Sequence, residues 1–373
     1  MTEAAQVVII GAGFAGAATA YHLAKRGVRD VIVLEAEASA GVHASGKNAA
    51  LCFQTIDDRE EAELAIEGTR IYAAPPEDLS PEPLLERNGS LLLASEAGRP
   101  ALEKSHDAAR ALGVGTSIVS RAEAIARVPL LRHSPFECAL DNPEDGVVDI
   151  RRLLDTYLEA AKRGGAKVRF GETVRAIHAE RGRIESVATE RGTIATRSLV
   201  NAAGAWAGEV ARLAGIASSI SPRRRHIFEA TAPVAIDRSW PFVWHAEIDV
   251  YFRPHAGGIL TSACDATPHD PHAPSVDPAA EATLRDKLGR AFPAVVPPRV
   301  TAVRACLRTF SRDEHFLIGR DPEIEGFVWV AALGGHGVST SYGVGRLGAS
   351  ALLGEESTEL ESFSPKRLSG SIH

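Results

Sequence analysis

Apolar positions along the chain follow two different periods. Residues 6–10 form an almost unbroken β-branched run, the pattern of a strand buried on both faces. Residues 11–16 are a glycine-rich turn, residues 14–26 carry helical spacing closed by Gly27, and residues 30–34 read as a second strand. The same alternation returns at 153–174, where a helix ends at Gly164-Gly165 and a strand follows. Residues 184–188 and 193–195 then predict a hairpin, and 198–201 a strand leading into Ala202-Ala203-Gly204. Between 222 and 262 the period changes to two. Segments 227–232, 243–247, 250–254 and 258–261 alternate as antiparallel strands, with turns at Pro241 and 256–258. A last strand at 327–332 runs into Gly334-Gly335-His336-Gly337 and a helix at 340–353. The Pro-, Asp- and His-rich stretch 264–280 is expected to be a surface loop, and the last ten residues a loose polar tail.

At 373 residues the chain is long enough for two domains. Its formal net charge of -7 offers no footprint for nucleic acid; the one basic block is Arg223-Arg224-Arg225, and such a triplet reads as a solvated face. Cys52, Cys138, Cys264 and Cys306 are scattered with no CxxC pair, which argues against a zinc site and a disulfide framework. His269 and His272, near Asp265 and Asp270, lie in the flexible loop and are expected to be solvated, so no metal is expected. The apolar stretch 7–24 follows Glu3 and is interrupted by three glycines; no export signal or transmembrane segment is expected. A cytoplasmic protein is the default, with peripheral membrane association left open. Asn88-Gly89-Ser90 is expected to be only a turn.

Gly11-Ala12-Gly13-Phe14-Ala15-Gly16 follows a strand and opens a helix, with Glu35 at the end of the next strand. In this context the first glycine permits the tight turn, the second admits a pyrophosphate to the backbone, and the third lets helix and strand pack closely. The helix N-terminus offers free N–H groups to the phosphates, and Glu35 would accept from a ribose hydroxyl, which disfavours NADP. The motif alone does not separate FAD from NAD.

Several further segments, taken together, resemble the D-amino-acid oxidase and sarcosine oxidase superfamily of FAD-dependent amine oxidoreductases. They are residues 41–49 (Gly-Val-His-Ala-Ser-Gly-Lys-Asn-Ala), 145–149 (Asp-Gly-Val-Val-Asp), 199–206 (Leu-Val-Asn-Ala-Ala-Gly-Ala-Trp) and 334–337. Residues 223–225, 251–254, 307–310 and 364–369 resemble its bacterial D-arginine dehydrogenase branch, while 313–316 also resembles the monomeric sarcosine oxidase branch. The resemblance implies an α/β fold, α+β overall: a Rossmann-type FAD-binding domain (residues 1–85, 145–215 and 309–373) with an inserted antiparallel-sheet substrate domain (86–144 and 216–308). It further implies FAD wrapped by Ser45, Gly46, Lys47, Asn48 and Ala49, adenine held at the backbone of Val174, and Ala203 and Gly204 passing under the pyrophosphate and ribose.

The activity implied is oxidation of the C–N bond of a small amino acid: a hydride equivalent passes from the α-carbon to flavin N5, and water hydrolyses the imine. Arg308 and Tyr251 occupy the family positions that grip a carboxylate. Arg308 sits in an apolar run where an unpaired charge would be costly; Tyr251 fits a core position equally well, and Arg225 matches another polar position. Gly334, Gly335 and Gly337 would aim N–H groups at the flavin C2 oxygen, with His336 adding a hydrogen bond or only packing. Leu51, Phe53 and Ile56 replace polar contacts of the D-arginine branch and Ser90 replaces its guanidinium-pairing acid. A D-amino acid with a neutral or apolar side chain is therefore expected rather than arginine.

Cys306 falls where sarcosine oxidase attaches flavin through sulfur; a buried free thiol and non-covalent FAD are favoured. Residues 253–286 contain no lysine to match the oxygen-activating one of that branch, which places a dehydrogenase passing electrons to a quinone or other acceptor ahead of an O2-using oxidase. The rival readings are a sarcosine- or glycine-type amine oxidase, the flavoprotein domain of an RNA-modification enzyme and a non-catalytic nucleotide-binding protein. A monomer or small homo-oligomer is expected.

Overall fold

A computed structural model describes residues 3–368. A six-stranded sheet runs in the order Lys167–Phe170, Val31–Glu35, Val7–Ile10, Leu199–Asn201, Phe327–Ala331 and Leu317–Arg320, parallel except at the last edge. Alternation explains why the central strands are apolar throughout. Val7, Ile9, Val31, Val33, Val200, Val328 and Val330 point to one side, into a core with the helices Phe14–Lys25, Arg59–Ala73, Ile150–Arg163 and Ser341–Leu353. Val8, Ile10, Ile32, Leu34, Leu199 and Trp329 point to the other, against Ile177, Ile184, Val187 and Ile194 of a small sheet and the helix Ala207–Leu213. Small residues set the helix crossing: a Cβ on Gly345 would lie 2.5 Å from Ala18.

The second large sheet has nine strands. Ser221–Ala230 pairs with both Val300–Phe310 and Gly258–Ser262, followed by Val250–His255, Phe242–His245, Ser90–Ala94, Cys138–Asn142 and Ser117–Ser120. Its two faces differ sharply. Phe228, Val243, Phe252 and Ile259 pack on Leu284 and Leu288 of the helix Ala280–Ala291. The register places Tyr251 opposite Trp244 and Ser262, and Arg225 opposite Cys306, so these residues and Arg253 and Arg308 share the other face.

A buried carboxylate ties the two bodies. Asp145 accepts from Gln54 N (3.1 Å) and Nε2 (3.0 Å), Asn142 Nδ2 (2.9 Å) and Ser90 Oγ (2.7 Å), while burial pushes its carboxyl up to about 7. Ser90 is thus an interior strand residue rather than part of an exposed turn.

Two expectations need correction, and the surface loop at 264–280 proves more tightly held than expected. The tail is not loose at 364–368: Ser364 and Pro365 are buried, Pro365–Leu368 forms a 3-10 turn, and Arg367 Nε donates to Asp313 at 2.8 Å; residues 369–373 lie outside the described residues. The arginine triplet is not a solvated face. Arg223 stacks on Phe310 and pairs with Glu314, Arg224 pairs with Asp277, and Arg225 donates to the Cys264 and Asp265 carbonyls. The stretch 264–280 is exposed in part but tethered: His226 Nδ1 bonds Asp265 (2.7 Å), Asp277 N donates to His226 Nε2 (3.0 Å), and Pro274 reaches the large cavity described below. None of the helices among the described residues is long and apolar enough to cross a membrane.

Asp58, Glu61 and His315 converge within 4.8 Å of one another, a grouping with metal-ligand chemistry. Their atoms already have partners: Asp58 caps the helix at Glu61 N (3.0 Å) and meets His315 Nδ1 (2.9 Å), and Glu61 accepts from Phe316 N (3.3 Å). The group reads as a latch between helix and sheet edge. Burial, reinforced by Asp58, pushes Glu61 up to about 8. A carboxyl raised in the fold contributes stability that is complete below its unfolded pKa of roughly 4.3 and is lost as pH rises through the folded value. Replacement Glu61→Gln is therefore expected to leave stability unchanged near pH 4 and to raise it, and Tm with it, near pH 9, by about 1.4 kcal/mol for each unit of pKa difference removed; thermal melts across that range check it.

Candidate functional site

A cavity of about 660 Å³ begins at Glu35 and Val174, passes the glycine turn, and reaches Cys306, Arg308 and Gly335 on the far side. The turn is built by close approach. Gly11 has φ 103°, and a Cβ there would lie 2.4 Å from Ala202 O; one on Gly16 would lie 1.9 Å from Gly11 O. Ser45 Oγ accepts from Phe14 N at 3.0 Å, and Glu35 accepts from Ala12 N at 2.9 Å and Glu37 N at 3.0 Å. Two donors that the motif suggests for phosphate are therefore engaged within the protein. Gly13, Ala15 and Gly16 N–H groups have no partner among the described residues.

Gly11, Gly13, Phe14 and Ala15 line this cavity, while Gly16 lies behind them as a packing glycine. Ser45, Lys47 and Asn48 line it; Gly46 and Ala49 support the loop from outside, a Cβ on Gly46 meeting Gly41 O at 2.0 Å. Ala203 and Gly204 line the wall beside Trp206, whose ring lies 4.5 Å from that of His43. A groove with free N–H groups at a helix N-terminus, an acid at its ribose end and small residues between fits a dinucleotide.

At the other end the geometry changes from backbone to side chains. Arg308 lines the cavity yet is only 8% exposed, and among the described residues its guanidinium has one hydrogen bond, Nη1 to Cys306 Sγ at 2.9 Å. It forms no ion pair with an acidic side chain among the described residues. Gly335 lets it lie flat, since a Cβ there would meet Arg308 Nε at 3.0 Å. Gly335 and Gly337 line the cavity, whereas Gly334 N donates to Thr309 O (2.9 Å) and His336 N to Leu333 O (2.8 Å), so only part of the expected N–H cluster is free.

Tyr251, His336 and Arg225 sit beside Arg308 but do not line the large cavity. Burial pushes the Tyr251 hydroxyl well above its ordinary value, against the pull of Arg225 and Arg308. Burial and the same two guanidinium groups push His336 down to about 4, so its imidazole is neutral at neutral pH. Leu51 packs against the apolar cluster that contains Ile227 and Tyr251, and Phe53 lies 5.8 Å from Trp244, which lies 5.2 Å from Tyr251. Trp244 escaped the sequence reading although its alternation partner, Tyr251, was singled out; knowledge of the strand register would have found it. Cys306 lines the cavity and contacts Arg225 O at 3.6 Å.

These features can be set beside known proteins. Mouse (Mus musculus) mitochondrial pyruvate dehydrogenase phosphatase regulatory subunit is 25% identical over 359 residues, covering 92% of this chain and 40% of its own length. Monomeric sarcosine oxidase of Streptomyces avermitilis is 25% identical over 397 residues, 99% of both chains. The crystal structure of L-proline dehydrogenase from P. horikoshii shares the fold, with a TM-score of 0.87 at 23% identity over 99% of this chain and 98% of that one. The chain thus spans less than half the length of the first of these relatives, which is named as a regulatory subunit, and membership alone does not fix an activity. The family model described as FAD dependent oxidoreductase (DAO) matches residues 6–351, and with the glycine turn, acid and small-residue groove in place, the protein belongs to that FAD-dependent family.

Proposed function

We propose that the protein oxidises the C–N bond of a small amino acid whose carboxylate is held by Arg308. One observation carries this reading: a nearly buried guanidinium opens onto the cavity with a sulfur as its only hydrogen-bond partner among the described residues. Water exclusion makes such a cation costly until an anion reaches it, and a carboxylate matches its fork. A flavin held in the groove would supply the two-electron acceptor. Tyr251 adds a neutral donor, and His336, kept neutral, adds no further positive charge. Leu51, Phe53 and Trp244 form an apolar wall, and the carboxylate behind Ser90 is saturated by its four donors, which favours a neutral or apolar side chain and disfavours a guanidinium.

The first substrates to try are D-amino acids; N-alkyl amino acids are the second reading, favoured by the full-length similarity to a sarcosine oxidase. The missing lysine between 253 and 286 supports a quinone or similar acceptor over O2.

Anaerobic mixing with a panel of D-, L- and N-methyl amino acids is expected to bleach the flavin with at least one amine; bleaching by none overturns the reading. With the amine so found, Arg308→Met is expected to lower kcat/KM by about two to four orders of magnitude, the loss of two charge-assisted hydrogen bonds. An effect under tenfold would remove Arg308 from the carboxylate grip. Acid precipitation is expected to release the flavin into the supernatant; colour retained in wild type and lost in Cys306→Ser would instead establish a thioether.

A further inference from the structure

Arg253 is a second buried cation on the cavity-facing side of the antiparallel sheet, two residues beyond Tyr251 on the same strand. It is 8% exposed and forms no ion pair with a carboxylate among the described residues. On the same face but two strands away, across Gly258–Ser262, Glu229 pairs with Arg304 and His255 rather than with Arg253. Burial pushes its guanidinium down to about 10. Leu260 stands opposite Arg253, and Ala49, Ile227 and Tyr251 form an apolar cluster with it, so a leucine at this position would face less desolvation than an arginine does.

Its hydrogen bonds supply the compensation. Nε donates to Ala49 O at 2.7 Å and Nη1 to Pro254 O at 2.9 Å. Ala49 closes the segment 45–49, and the next residue, Ala50, holds φ 60°, a left-handed conformation that costs a non-glycine residue about 1 kcal/mol or more. Ala50 N donates to Asn48 Oδ1 (2.7 Å), Val148 N donates to Ala50 O (2.8 Å), and Asn48 Nδ2 donates to the Ala44 and Ser45 carbonyls (3.0 and 2.9 Å). Ser45 Oγ in turn receives Phe14 N. A continuous series of hydrogen bonds and short backbone links therefore joins the antiparallel sheet to the glycine turn, and Arg253 is its anchor on the sheet.

We propose that Arg253 is a positioning residue for the cofactor: by holding Ala49 O it clamps the segment 45–49 to the antiparallel sheet and sets the phosphate groove in register with the Arg308 face. The inference rests on the flavin assignment and not on the substrate, so a failed amine panel leaves it standing.

The test is FAD affinity, read by flavin fluorescence on reconstituted protein. Arg253→Ala is expected to raise the FAD dissociation constant about tenfold or more, as befits loss of a buried charged hydrogen bond. Methylguanidinium chloride is expected to restore much of the affinity, and sodium chloride at equal ionic strength none. Arg253→Lys, whose ammonium lacks the fork, is expected to fall between wild type and Arg253→Ala. Arg304→Gln, on the same sheet face but paired with Glu229, serves as the control and is expected to bind FAD normally. An FAD dissociation constant within twofold of wild type in Arg253→Ala overturns the proposal, as does a loss that methylguanidinium leaves untouched. Should the alanine protein not fold, Arg253→Met, which keeps the volume and removes every donor, carries the same comparison.

Discussion

Side chains alternate across a strand, and the antiparallel sheet has one apolar face and one mixed face because of it. Phe228, Ala230, Val250, Phe252 and Val303 enter the core formed with Ala280–Ala291, and the residues that alternate with them are carried to the opposite face. That single constraint brings Arg225, Tyr251, Arg253, Cys306 and Arg308 together from positions up to 83 residues apart in sequence. A one-residue slip of any of these strands would bury a guanidinium among Phe228, Phe252 and Leu288, so the core that sets the register also protects the site.

The parallel sheet works under the same rule with a different outcome. Both of its faces are covered, so its central strands are continuous apolar runs, and their chemistry is confined to the ends where Gly11, Glu35 and Ala202 emerge. The cavity joins the ends of those strands to one face of the other sheet. One body lines it with the backbone of the glycine turn, the other with the side chains of Cys306 and Arg308.

How far these features were legible follows from how strongly each is patterned. Val7–Ile10, its glycine turn and Phe14–Lys25 announce themselves through β-branched residues and glycines with steric duties. The helices Arg59–Ala73 and Arg99–Ala111 do not: in the latter, Leu102 and Ala109 are the buried positions, and two residues make no visible period. Ser90–Ala94 and Cys138–Asn142 are short strands whose partners are distant in sequence. Within the site, Arg308 was readable because a charge stood in an apolar strand. Arg253 obeyed the same logic, but its acceptor, Ala49 O, is a backbone atom that no side-chain pattern reveals. Likewise the 3-10 turn at Pro365–Leu368 is held by Arg367 to Asp313, a pairing across 54 residues that composition cannot foretell.

The segment from Ser45 to Phe53 serves two masters. Its first half touches the glycine turn, and its second half forms the wall beside Trp244 and Tyr251, with Ala50 in a left-handed conformation at the midpoint. Nine residues of continuous backbone leave little slack, so reshaping the wall at Leu51 or Phe53 also disturbs the groove. Trp244 offers a freer handle: it reaches the same wall from Phe242–His245, a strand whose neighbour Val243 is anchored in a separate core, so a change there reshapes the wall from outside that continuous backbone.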